Sequence, residues 1–182
     1  LILDDVSAED LLSYRAAVKS LPERELLCGF VSGRVELEHW NPGELFQFYH
    51  DTRPLAGDLE FLRPMAGQEA AALAVRDGAC ALYHGCAHNL LHGRSREALG
   101  ELYKAAGFTL RAKYFVETKT YLARQSDLLS GLRGEDHDLL MEGIALRSCP
   151  NLDDREFDRL SGKLVEWAGA LLATCVSKKF PV

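Results

Sequence analysis

What the chain lacks narrows its class first. No run of about 18 apolar residues occurs in its 182, so the sequence offers no membrane-spanning helix. Phosphate loops of the GxxxxGK(S/T) or GxGxxG kind are missing, as are His-Glu-x-x-His and Cys-x-x-Cys spacings. No serine stands in a nucleophile-elbow context, which leaves a hydrolase triad unsupported. Five cysteines, at 28, 80, 86, 149 and 175, are an odd number at scattered positions, the pattern of reduced thiols in a cytoplasmic protein rather than of a disulfide framework. Positive charge is in short supply: 21 basic against 27 acidic residues give a net −6. That argues against a nucleic-acid sheath while leaving room for a local basic pocket.

What is present reads as globular. Apolar residues make up 47% and charged residues 26%, and 182 residues can bury one sizeable core or two small ones. Leu1 to Leu3 reads as a strand, so a chain beginning there is expected to be the downstream part of something longer. Ser7 with Glu9 and Asp10 is a helix start, and that helix should run to about Ser20. Leu26–Val31 and Arg34–Trp40 read as β-prone runs joined by a hairpin-like turn at Ser32-Gly33. From Gln68 onward the periodicity is helical: 68–92, 95–118, about 125–130, 135–147 and 153–177, with breaks at Gly93, Gly131, Gly134 and Ser148-Cys149-Pro150. The expected organisation is α+β, with a small α/β piece over 1–65 and an up-and-down helical bundle over 66–182.

Three histidines at four-residue intervals, His84, His88 and His92, form the most distinctive pattern, with Cys80 one step earlier. Such spacing puts all four on one helix face. The helix is otherwise apolar (Ala79, Leu82, Leu90, Leu91), so the stripe should line something wet, bind something or be satisfied by neighbours. Hydrogen-bonded histidines of a bundle, a cleft face doing acid/base or ligand work, and a metal site are the three readings. Four residues climb about 6 Å and drift about 40°, so one ion can bridge two neighbours but hardly three.

Glu36 and Glu38 alternate with Val35 and Leu37, which on a strand would aim both carboxylates to one side. They would there hold a divalent cation or simply face water. Lys104 and Arg111, seven residues apart on one helix face, with Lys113, Arg94 and Arg96 nearby, would suit a phosphate or an acidic substrate, or form a solvated face. Arg133 and His137 have a spacing similar to that of small helical-bundle ribonucleases.

Arg34-Val-Glu-Leu-Glu-His-Trp40, Phe48-Tyr-His-Asp51, Arg124-Gln-Ser-Asp-Leu-Leu-Ser130 with Asp136-His137, and Glu166-Trp167 with the tail Val176–Pro181 carry a resemblance. Together they look like the polymerase-β-type nucleotidyltransferases, of the kanamycin (aminoglycoside) kind. The resemblance implies transfer of a nucleoside monophosphate from a Mg2+-bound nucleoside triphosphate to a hydroxyl of a small-molecule or protein acceptor. It implies Glu36 as the third metal-side carboxylate, with Glu38 beside it. Asn89 falls where the family's general base should stand, so His88 or His92 would take the proton. Arg94 falls near a phosphate-contacting basic residue, and His84 would join the cleft, at a domain or dimer boundary. The family's Gly-Ser loop and paired acids would precede Leu1, so the 182 residues alone are expected to be inactive. A non-catalytic helical-bundle module of the nucleotidyltransferase/antitoxin type is the alternative, and a bundle ribonuclease using Arg133 and His137 the third.

Overall fold

The structure, a computed structural model, describes residues 1–27, 30–148 and 152–177, of which 175–177 in backbone only. It divides into two units, Leu1–Asn41 and Pro42–Val182. The first holds β1 (Ile2–Leu3), α1 (Ala8–Val18), a 3-10 turn at Arg24–Leu26, β2 (Ser32–Gly33) and α2 (Arg34–Glu38). Ser7 caps α1 reciprocally with Asp10: its hydroxyl accepts from the Asp10 amide at 3.2 Å, and the Asp10 carboxylate accepts from the Ser7 amide at 2.8 Å.

The expected hairpin is overturned. Ser32-Gly33 is itself a strand, paired parallel with β1, Ile2 opposite Ser32 and Leu3 opposite Gly33. Arg34–Glu38 is a helix, braced by an Arg34–Glu38 ion pair at 3.0 Å. Two apolar residues in five cannot separate a period of 2 from a helix that buries one of them. Leu37 is buried and Val35 is 55% exposed. Of the run Leu26–Val31, Leu26 lies in the 3-10 turn, while Cys28 and Gly29 fall outside the described residues.

The second unit contains α3 (Pro42–Asp51), a 3-10 turn at Glu60–Met65, α4 (Gln68–His88), a π turn at Asn89–Gly93, α5 (Arg96–Thr118), α6 (Gln125–Gly131), α7 (Gly134–Arg147) and α8 (Asp154–Ser177). The division at Asn41/Pro42, rather than near residue 65, follows from α3, whose Phe46 joins the core formed with α4, α5, α7 and α8. Cross-helix ties fix the directions. Gln68, at the start of α4, donates to the Val116 carbonyl near the end of α5. Leu140 of α7 packs beside Gly107 and Tyr103 beside Gly143, so α5 and α7 also run antiparallel. Cys86 donates to the Ser161 carbonyl while Tyr83 lies against Gly169, which sets α8 antiparallel to α4. The four long helices are therefore up-down-up-down, with Leu82, Leu99, Leu110, Leu139, Phe157 and Leu164 in their common core.

α4 and α5 approach closely because Gly78 faces Thr109; any Cβ there would collide with the Thr109 hydroxyl. At the far end of α5, Lys113 pairs with Asp136 of α7, whose other oxygen accepts from Trp167 Nε1 of α8 at 2.8 Å. Among the described residues no helix is long and apolar enough to cross a membrane. Cys80 is exposed and Cys86 buried, both as free thiols; Cys149, Pro150 and the tail from Lys178 lie outside the described residues, as does the Cys175 side chain.

Candidate functional site

The basic face of α5 opens onto a pocket. Lys104 and Arg111, separated by about two helical turns, lie on one side of α5. Arg147, in the last turn of α7, and Gln125, the first residue of α6, face them across a pocket of about 240 Å³. Phe108, Leu128 and Leu140 form its apolar part, and among the described residues no carboxylate lines it. Lys104 and Arg147 also line a neighbouring groove of about 510 Å³ that extends along α5 toward Arg96, Glu97 and Glu101.

Arg111 is the best-organised of these cations. Its guanidinium lies 5.0 Å over the Phe108 ring and 3.6 Å from the Asp51 carboxylate, and its side chain is 18% exposed. Its Nε is buried without a hydrogen-bond partner. Beside Asp51, the Tyr121 phenol is held protonated well above its ordinary range by burial and by that carboxylate. His50 stacks on Tyr121 at 4.5 Å, and burial pulls its pKa down. Lys104 is exposed and pairs with Glu101, one turn back, at 3.1 Å. Three cations and an amide around this cavity, with Asp51 and Glu101 beside two of them, can still orient a phosphate or carboxylate.

Other residues singled out in the sequence lie elsewhere. Lys113 points away from the pocket into the Asp136 network: burial opposes its charge, but Asp136 and Glu117 outweigh it and raise its pKa. Arg94 is committed to α8, 2.9 Å from Asp158 and with its guanidinium 5.0 Å over Phe157. Asn89 is buried, and its side-chain amide exchanges two 2.9 Å hydrogen bonds with the Ser95 backbone, a structural tie across the α4–α5 connection. Arg133 donates to the carbonyls of Ser130 and Leu132, and His137 faces Asp138; neither lines the two pockets above.

Comparison with protein-family models, curated proteins and solved structures finds no match.

The geometry also bears on the expected Mg2+ residues. On α2, Glu36 and Glu38 stand about 200° apart around the helix rather than side by side. Glu38 is engaged by Arg34, and Glu36 folds back over Gly33, where a Cβ would collide with its carboxylate. The two do not converge on one ion, and the strand geometry that paired them does not exist. Among the described residues no cluster of three or more His, Cys, Asp or Glu side chains could hold a metal.

His84, His88 and His92 are exposed, on the outer side of α4 and its π turn, and line neither of these pockets. Of the three readings, neighbours satisfying the rings by hydrogen bonds is not what is seen among the described residues: the stripe faces solvent because the helix buries a different face, through Ala71, Val75, Ala79, Leu82 and Cys86. Leu91, read as apolar and buried, is 72% exposed. Sequence reasoning missed Arg147 and Gln125. A basic residue in a last helical turn is the only signal Arg147 gave, and it is common to many helix ends.

Proposed function

We propose that this chain binds a phosphate-bearing small molecule in the α5–α6–α7 pocket, with a nucleoside triphosphate as the ligand the family resemblance favours. The observation that carries this is the convergence of Lys104, Arg111 and Arg147 on a cavity that no carboxylate of the described residues lines. The pocket is sized for a phosphate group, and the adjoining groove offers room for the remainder of a ligand.

Nucleotidyl transfer to a hydroxyl is the chemistry that the resemblance attaches to such a ligand; His88 and His92, to which the resemblance gives the proton, do not line this pocket. Mg2+ is the ion that the resemblance attaches to this chemistry, with Glu36 as one of its carboxylates; Glu36 and Glu38 would not hold it as a pair. The helical-bundle binding module is therefore the form in which the function is stated.

Calorimetric titration of the full chain with ATP and with inorganic triphosphate tests it. Lys104→Ala and Arg147→Ala each remove one exposed cation without disturbing a buried pair. Each charge-assisted contact is worth about 1.5–3 kcal/mol, so each variant should bind about 10–100-fold more weakly. Affinity should also fall as salt rises. Unchanged binding in both variants, or no binding by the wild type, ends the proposal. Transfer of α-labelled nucleotide to hydroxyl acceptors tests the chemistry separately.

A further inference from the structure

The histidine stripe is not used by the phosphate pocket, and its geometry has a chemistry of its own. The His88 and His92 ring centres are 5.2 Å apart, the His84 and His88 centres 6.4 Å. None of the three rings has a hydrogen-bond or ion-pair partner among the described residues, and all three face solvent. We propose that His88 and His92 chelate one divalent ion of the borderline class (Ni2+, Zn2+ or Cu2+), water completing its coordination.

Bond lengths select this pair. With a metal–nitrogen bond of about 2.1 Å, each ring centre lies about 3.2 Å from the ion, so ligand angles of about 90–110° put two ring centres about 4.5–5.2 Å apart. The His88–His92 separation of 5.2 Å falls within that range. The His84–His88 pair, at 6.4 Å, would need an almost linear arrangement or a change of rotamer.

The π turn explains the difference. In an α-helix four residues overshoot one turn by about 40°. Across Asn89–Gly93 the hydrogen bond lengthens to i→i+5, the Arg94 amide donating to the Asn89 carbonyl at 2.6 Å. A turn that takes up an extra residue cancels the overshoot and brings His92 more nearly over His88. The Asn89–Ser95 tie then fixes the backbone on which His92 stands. Neutral imidazole suits nickel, zinc and copper and is a poor ligand for Mg2+, so this site is chemically separate from the nucleotide chemistry.

Titration of the full chain with Ni2+ and with Zn2+, after alkylation of the exposed thiols, tests the site. The wild type should take up one ion saturably. His88→Ala should abolish that uptake, because His88 belongs to both neighbouring pairs. His92→Ala should lose most of it, and His84→Ala should retain it. Broadening of the His88 and His92 ring-proton resonances by substoichiometric Ni2+ reads the same pair without mutation. Wild-type-like uptake by His88→Ala, no saturable uptake by the wild type, or loss through His84→Ala with retention by His92→Ala would each overturn the assignment.

Discussion

Cys86 shows how a single buried group ties the fold to solution conditions. Its thiol is 0% exposed, donates to the Ser161 carbonyl at 3.3 Å, and is pushed up by burial to about 11. The unfolded chain releases this proton near pH 9, while the folded chain keeps it until about 11. Between those values the unfolded state holds fewer protons, so stability falls as pH rises. Tyr103, Tyr121 and Lys113 have raised pKa values and act in the same direction. These groups therefore leave stability unaffected from neutral pH to about pH 9 and bring progressive loss above it, to which Cys86 contributes at most about 3 kcal/mol. Urea midpoints measured from pH 7 to 11 check this, and Cys86→Ala should flatten the slope between 9 and 11. An unchanged slope would show that the thiol titrates alike in both states. The burial of Cys86 was implicit in the apolar periodicity of α4, but its partner, 75 residues away, was not. The histidines show the converse: their common face was legible from spacing, whereas the side of α4 turned to the core depended on partners the sequence does not name.

At the scale of elements, the long helices were legible, as was β1 at the chain's start, whereas β2 and the short helices α2 and α3 were not. Long amphipathic runs such as 95–118 carry their period over several turns, and Ser95 caps α5 by accepting from the Ala98 amide. The first unit offers only segments of two to five residues with regular structure beyond α1, too short for any period to decide. The connection between α4 and α5 is where local sequence does most to specify form. Gly93 is needed because the Asn89 side chain passes over it: a Cβ at 93 would stand 2.8 Å from Asn89 Oδ1. Asn89→Ala should destabilise the chain by about 1–3 kcal/mol, since the Ser95 amide and carbonyl lose their partner. Gly93→Ala should cost a similar amount by displacing that same amide. The two losses share one cause, so they should not add: in Asn89→Ala the methyl at 93 meets open space, and the coupling should be about 1 kcal/mol or more. A double-mutant cycle in urea measures it, and simple additivity would mean that Gly93 does not make room for Asn89.

At the scale of the molecule, the two units differ in how much they bury. The core formed around α4, α5, α7 and α8, with Phe46 of α3, belongs wholly to Pro42–Val182. In Leu1–Asn41, α1 contributes no buried residue, and Leu11 and Leu12 remain 43% and 56% exposed. A piece of 41 residues is near the size of about 40 below which a chain seldom folds without a disulfide, a metal or a partner. Residues 42–182, by contrast, contain every helix of the bundle and all the cross-helix ties described above. That fragment should unfold cooperatively in urea with its helical circular dichroism intact beforehand, and it should keep the phosphate pocket, since Lys104, Arg111, Gln125 and Arg147 all lie within it. The fragment 1–41 should show only a gradual, non-cooperative change. If 42–182 loses its cooperative transition, the core depends on the first unit and the division at Asn41 is not a folding boundary. If it folds but loses the affinity for triphosphate measured on the full chain, the ligand reaches beyond the bundle, and the first unit, with Glu36, contributes to binding.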